Sequence, residues 1–136
     1  MNKVLILCTG NSCRSQMAEG LIANFFSKMQ VYSAGTKPEM VNPFAVKAMA
    51  EMGIDISANV SNHADEYAHI DFDYVFTVCD NAKEICPIYP KAKQLIHHSF
   101  YDPADATGTE KEQLKVYVAV RNELSAYFTS FFKGKS

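Results

Sequence analysis

The chain has 136 residues, of which 48% are hydrophobic and 21% are charged, and its formal net charge is -2 at pH 7. This length predicts a single domain, residues 1–136, that can bury a sizeable core. The near-neutral charge argues against nucleic acid or an anionic membrane as a partner. No apolar run approaches the ~20 residues of a membrane helix, and the first one is too short for a signal peptide, so we expect a cytoplasmic protein.

Short apolar runs alternate with helical patterns along the chain. Strands are predicted over residues 3–7, 31–34, 72–78 and 93–97. Helices are predicted over residues 15–28, from Pro43 behind an Asn42 cap to Gly53, in a short turn opened by Ser61, and from the Thr109 capping box toward Phe131. Alternating strands and helices predict an α/β fold, a three-layer sandwich around a four-stranded parallel sheet.

The most informative segment joins the first strand to the first helix. It begins with Cys8, ends with Arg14 and Ser15, and carries between them Thr9, Gly10, Asn11, Ser12 and Cys13. Backbone N–H groups of such a loop and the following helix N-terminus converge on one point and favour an anion there. The same field stabilises a Cys8 thiolate, to which Ser15 can donate its hydroxyl, and Arg14 can grip two oxygens of a tetrahedral oxyanion. A Cys-x5-Arg spacing alone is weak, but its position between strand and helix indicates nucleophilic attack on phosphorus or a similar centre.

Two further groups follow predicted strands and should reach the same edge of the sheet. Asp102, before Pro103, can protonate a departing oxygen. Cys79 ends the third strand, and Cys86 follows seven residues later, so thiol redox chemistry is open to this pair. Two unrelated thiols remain an alternative, whereas the cysteine spacings do not match those of usual zinc sites.

Residues 8–20, Cys-Thr-Gly-Asn-Ser-Cys-Arg-Ser-Gln-Met-Ala-Glu-Gly, resemble the active-site loop of the thioredoxin-coupled arsenate reductases. These enzymes share a fold and first catalytic step with the low-molecular-weight protein tyrosine phosphatases. The resemblance implies strand order 2-1-3-4, arsenate as substrate and thioredoxin as partner and electron source, with no bound cofactor. It also implies a relay in which Cys79 attacks Cys8, Cys86 attacks Cys79, and thioredoxin reduces the resulting disulfide, with Cys13 in a structural or protective role.

Some arsenate reductases of this kind hold a potassium ion near the loop. Three of their ligands match Asn11, Glu19 and Ser33, but the fourth, an Asp, corresponds to Asn62 in this chain. One negative charge is therefore missing, and we expect no metal, with Asn11 and Ser33 bracing the loop by hydrogen bonds instead.

Two other functions stay open from the sequence. A phosphatase acting on phosphotyrosine or a small phosphate ester would use the same Cys8, Arg14 and Asp102. Tyrosine phosphatases of this fold tend to place an aromatic residue after the Asp-Pro pair, where this chain has Ala104. A non-catalytic oxyanion-binding or thiol-sensing module would use only the loop.

Overall fold

The computed structural model describes residues 2–79 and 92–134. Its strands are β1 (Lys3–Cys8), β2 (Gln30–Gly35), β3 (Phe72–Thr77) and β4 (Ala92–His97). Its α-helices are α1 (Arg14–Phe25), α2 (Pro43–Ala50) and α3 (Glu110–Phe132), and short 3-10 turns cover Ala64–Tyr67 and Pro103–Asp105. No helix in the described ranges combines the length and apolar character that a membrane span requires.

The four strands form one parallel sheet in the order β2-β1-β3-β4, which confirms the expected α/β fold and strand order. Alternate residues of β1 enter two separate cores, as the pleat of a strand requires. Val4 and Ile6 pack with all three α-helices, whereas Leu5 and Leu7 pack on the opposite face with Phe72 and the region around Tyr67. The carboxyl ends of β1, β2 and β3 therefore meet at one edge.

An aromatic stripe on α3 packs into the core. Phe76 of β3 has ring-centroid distances of 4.9 Å to both Phe128 and Phe131. Tyr117, also on this stripe, is buried and brings its hydroxyl toward the segment between β1 and α1. The helix begins at the predicted Thr109 capping box, whose hydroxyl accepts the N–H of Glu112 at 3.1 Å.

The start of one short turn differs from the prediction. Ser61 does not cap it; His63 does, with its Nδ1 accepting the Asp65 N–H at 3.0 Å and its own N–H donating to Glu66 at 2.7 Å. The Ser61 hydroxyl instead reaches the carbonyl oxygens of Asn11 and Glu39. Ser61, predicted as a local cap, thus makes a tertiary contact, because the fold brings the carbonyls of Asn11 and Glu39 to its hydroxyl.

Candidate active site

Asn11 organises the loop between β1 and α1. It is fully buried and has a left-handed backbone (φ 50°), a conformation that Asn tolerates better than most residues. Its Oδ1 accepts the backbone N–H of Asn62 at 2.8 Å and the side-chain amide of Gln16 at 3.2 Å. Because a backbone N–H can only donate, these contacts turn the Asn11 Nδ2 toward Ser15, whose Oγ accepts it at 2.8 Å.

That arrangement directs a proton at Cys8. The Ser15 oxygen is already an acceptor from Asn11, so its own hydroxyl hydrogen is available for the Cys8 Sγ, 3.0 Å away. The Asn11 backbone N–H donates to the same sulfur at 3.2 Å. Cys8 is 2% exposed, so two hydrogen-bond donors face a buried sulfur. The predicted contact between Ser15 and Cys8 is present.

The segment after β2 forms a second wall along the loop. Its backbone N–H groups donate to loop carbonyls in three places: Lys37 to Thr9 at 2.9 Å, Glu39 to Gly10 at 2.8 Å, and Asn42 to Ser12 at 3.0 Å. Gly35 makes this approach possible, since a side-chain carbon there would collide with the Thr9 carbonyl. Three backbone hydrogen bonds from the neighbouring segment therefore hold the loop.

Arg14 and Asp102 face each other across the same space. Arg14 is 3% exposed; its Nη1 donates to the Phe100 carbonyl at 3.2 Å, and its Nη2 lies 3.5 Å from the Asp102 Oδ2. The other Asp102 oxygen accepts the Ala104 N–H at 3.0 Å, which fixes the carboxylate before Pro103. A guanidinium and a carboxyl group are thereby placed on one side of the Cys8 sulfur.

These groups enclose a pocket of about 140 Å³ at the carboxyl edge of the sheet. Its lining consists of Cys8, Thr9, Gly10, Ser12, Cys13, Arg14, Glu39, Asp102 and Ala104. The volume suits a small tetrahedral anion, with the sulfur at its base and the guanidinium beside it. Ala104 contributes only a methyl group to this lining.

Cys79 comes directly after the β3 end that flanks the loop. The Val78 N–H donates to the Leu7 carbonyl at 3.0 Å, and the Val78 carbonyl lies 3.5 Å from the Arg14 Nη1. Cys79 is fully buried and belongs to the same core cluster as Cys8. It is disulfide-bonded, whereas Cys8 and Cys13 are free thiols. Cys86, and the 80–85 segment that we expect to rearrange on oxidation, lie outside the described residues.

Cys13 has different surroundings from Cys8. Its thiol lies 3.9 Å from the Tyr117 hydroxyl and 3.4 Å from the Ser12 Oγ, and burial raises its pKa to about 11. The pKa of Tyr117 is also raised, first by burial and then by the neighbouring Cys13. Cys13 therefore keeps its proton near neutral pH, which agrees with a structural role.

The candidate potassium ligands do not fit a cation. The Asn11 Oδ1 accepts two N–H donors, and Asn62 presents its backbone N–H while its amide donates to the Val60 carbonyl at 3.3 Å. The two Glu19 oxygens accept the Ser33 hydroxyl at 2.7 Å and the Asn59 amide at 3.3 Å. Burial raises the Glu19 pKa. Hydrogen bonds therefore already engage the Asn11 Oδ1 and both Glu19 oxygens, two of the four candidate ligands.

The sequence did not single out two residues at this site. Glu39 lines the pocket, and Tyr117 touches Cys13. The position of Glu39 in the sequence is a weak indication of this role, because Glu39 follows β2, whose carboxyl end lies beside that of β1. Tyr117 is one of several aromatic residues on a helix face, and only the packing of α3 against α1 distinguishes it.

A buried, donor-stabilised cysteine below an arginine and an acid, on the loop that follows the first strand of a parallel sheet, defines a class of cysteine-dependent oxyanion enzymes. The family model for low molecular weight phosphotyrosine protein phosphatase matches residues 3–129. The chain is 46% identical to the arsenate reductase of Halalkalibacterium halodurans (96% of each chain covered). It is 44% identical to that of Bacillus subtilis (96% of this chain and 95% of the other). A solved structure of an arsenate reductase in the phosphate binding state matches with a TM-score of 0.84 and 30% identity, covering both chains completely. The chain belongs to the low molecular weight phosphotyrosine protein phosphatase family and, within it, to the arsenate reductases.

Proposed function

We propose that the protein reduces arsenate to arsenite through an adduct on Cys8 and a disulfide relay, with thioredoxin supplying the electrons. The observation that carries this proposal is the pair of donors on the buried Cys8 sulfur, at the base of a pocket that also holds Arg14 and Asp102. Its relatives are named arsenate reductase.

In the first step the Cys8 thiolate attacks arsenic and forms an S–As bond. The departing oxygen takes a proton from Asp102 and leaves as water. Arg14 and the loop N–H groups stabilise the charge that builds up on the remaining oxygens, and in support of this role Arg14 and the loop residues line the pocket.

The Cys79 disulfide must first be reduced, and in the second step the resulting Cys79 thiolate attacks the Cys8 sulfur. The S–As electron pair goes to arsenic, arsenite leaves, and a Cys8–Cys79 disulfide forms. Cys86 then attacks Cys79, which releases the Cys8 thiolate and leaves a Cys79–Cys86 disulfide. A thioredoxin dithiol reduces that bond, so two thiol electrons balance each arsenic reduced. In support of this step, Val78, immediately before Cys79, donates its N–H to the carbonyl of Leu7, the residue before Cys8.

The test measures NADPH consumption by the protein with arsenate, thioredoxin and thioredoxin reductase. We expect consumption only when all three are present. Cys79→Ser should stop at the arsenic adduct and release little arsenite. Cys86→Ser should give about one turnover and trap a Cys8–Cys79 disulfide that peptide mapping detects. Hydrolysis of p-nitrophenyl phosphate is the control and should survive both substitutions, since water can complete that reaction. Full arsenate reduction by both variants would disprove the relay.

Hydrolysis of phosphate esters is the second candidate, because it uses Cys8, Arg14 and Asp102 in the same way. The small Ala104 at the pocket wall offers no ring to stack on a tyrosine side chain. We therefore propose that phosphatase activity is a weak side reaction. We also place the protein in the cytoplasm, where thioredoxin keeps such cysteines reduced.

A further inference from the structure

Glu39 is a carboxylate at the mouth of an anion-binding pocket. The residue is exposed, yet its side chain lines the same pocket as Cys8, Arg14 and Asp102. Its Oε2 lies 3.5 Å from the position where a side chain on Gly10 would begin, so the carboxylate lies over the loop. A negative charge there opposes anion binding unless it makes a compensating contact.

The backbone holds Glu39 in this position. Its N–H donates to the Gly10 carbonyl at 2.8 Å, and its carbonyl accepts the Ser61 hydroxyl. Lys37 and Asn42, on either side, bond to the loop in the same way. The carboxylate is therefore presented to the pocket by a segment tied to the loop along its length, and not by a free surface chain.

A carboxylate is only an acceptor of hydrogen bonds. Arsenate and phosphate keep at least one proton near neutral pH, so each can donate an O–H to a carboxylate. Sulfate is fully deprotonated and can offer only oxygen lone pairs. The same Glu39 charge thus meets a hydrogen-bond donor on one kind of oxyanion and a repelling oxygen on the other.

We propose that Glu39 is a specificity-determining residue that selects protonated tetrahedral oxyanions over sulfate. This proposal rests on the proposed function in one respect, that the oxyanion substrate binds in this pocket. It concerns the choice among anions, which binding alone reports, and does not depend on the cysteine relay.

The experiment measures the dissociation constants of sodium sulfate and sodium phosphate by calorimetry at one pH and constant ionic strength. In Glu39→Gln we expect sulfate to bind about tenfold or more tightly than in the wild type, while phosphate changes by less than about threefold. Glu39→Ala should give the same sulfate gain, since it also removes the charge. Asp71→Asn is the matched control: it removes an exposed charge before β3, at the opposite edge of the sheet, and should alter neither constant.

Sulfate inhibition of arsenate turnover should follow the same order, with sulfate a stronger competitor in both Glu39 variants. An equal gain in affinity for sulfate and phosphate would overturn the proposal, because general charge repulsion would then explain the effect. Unchanged dissociation constants for both anions in the Glu39 variants would overturn it too. If the wild-type protein binds neither sulfate nor phosphate, the proposed function fails together with the selectivity proposal. If it binds them and only the Glu39 variants give the wrong result, the selectivity proposal alone fails.

Discussion

The loop between β1 and α1 carries two buried thiols that are five residues apart and chemically unlike. Cys8 and Cys13 are 2% and 4% exposed, so burial does not distinguish them. The Cys8 sulfur lies 3.0 Å from the Ser15 hydroxyl and 3.2 Å from the Asn11 N–H, whereas the Cys13 sulfur lies 3.4 Å from the Ser12 hydroxyl and 3.9 Å from the Tyr117 hydroxyl. Burial raises the Cys13 pKa to about 11, although its hydrogen bonds with Ser12 and Tyr117 lower it. Depth of burial therefore does not identify the nucleophile, and the closer donors at the Cys8 sulfur do.

The largest difference should appear when the sulfur of each cysteine is replaced in turn by oxygen. Cys8→Ser removes the nucleophile and should lower arsenate turnover by roughly 10⁴-fold or more. Cys13→Ser should retain turnover within about tenfold, since its thiol is protonated and makes only weak contacts. Steady-state rates with thioredoxin and its reductase measure both. Comparable losses in the two variants would remove the distinction between the thiols.

Arg14 is the next test, because its guanidinium lines the pocket together with Cys8. Arg14→Lys keeps the charge but loses the planar pair of donors, so kcat/KM should fall about 10²- to 10³-fold. Arg121→Lys is a matched control, since Arg121 is also buried and donates to a backbone carbonyl, that of Ala48, at 2.7 Å. Similar losses in both variants would indicate a general packing defect.

Ser15→Ala removes one of the two donors on the Cys8 sulfur. A hydrogen bond to a charged group contributes about 1.5–3 kcal/mol, so the rate of adduct formation should fall about ten- to a hundredfold. Ser12→Ala is the corresponding change on the Cys13 side, where Ser12 Oγ lies 3.4 Å from that thiol, and should leave the rate nearly unchanged. Single-turnover mixing with arsenate measures the rate, and an equal effect of both changes would contradict the assigned proton direction.

The Cys13 pKa predicts a loss of stability in alkali. The folded protein holds the Cys13 proton up to about pH 11, while the unfolded chain releases it near 9.0. Stability from this group is therefore complete below about pH 9 and is lost as the pH rises toward 11, by about 3 kcal/mol. Urea unfolding at several pH values measures it. In Cys13→Ala the free energy of unfolding should fall less steeply over that range.

The smallest effect concerns potassium. Because hydrogen bonds occupy the oxygens around Asn11 and Glu19, potassium chloride and sodium chloride at equal concentration should give melting temperatures within about 1 °C. A larger, saturable, potassium-specific rise would mean that a cation can displace the Asn59 and Ser33 contacts.

The sequence by itself determined the fold and the chemistry that depends on local order. Alternating apolar runs and helical spacing indicated a parallel α/β sheet, and the position of Cys8 after a strand and Arg14 before a helix indicated an oxyanion loop. The Asn42 and Thr109 caps also formed as predicted. These features follow from neighbouring residues, because strand, turn and helix signals act over a few positions.

Contacts between distant segments were decided only by the tertiary structure. Ser61 looked like a helix cap but bonds to the loop, 50 residues away in sequence from its acceptor Asn11. Glu39 reached the pocket because β2 pairs with β1, and the Cys13 pKa is high because the packing of the chain buries its thiol. Which side chain faces an anion, and which thiol keeps its proton, depends on groups that only the packing of the whole chain brings together.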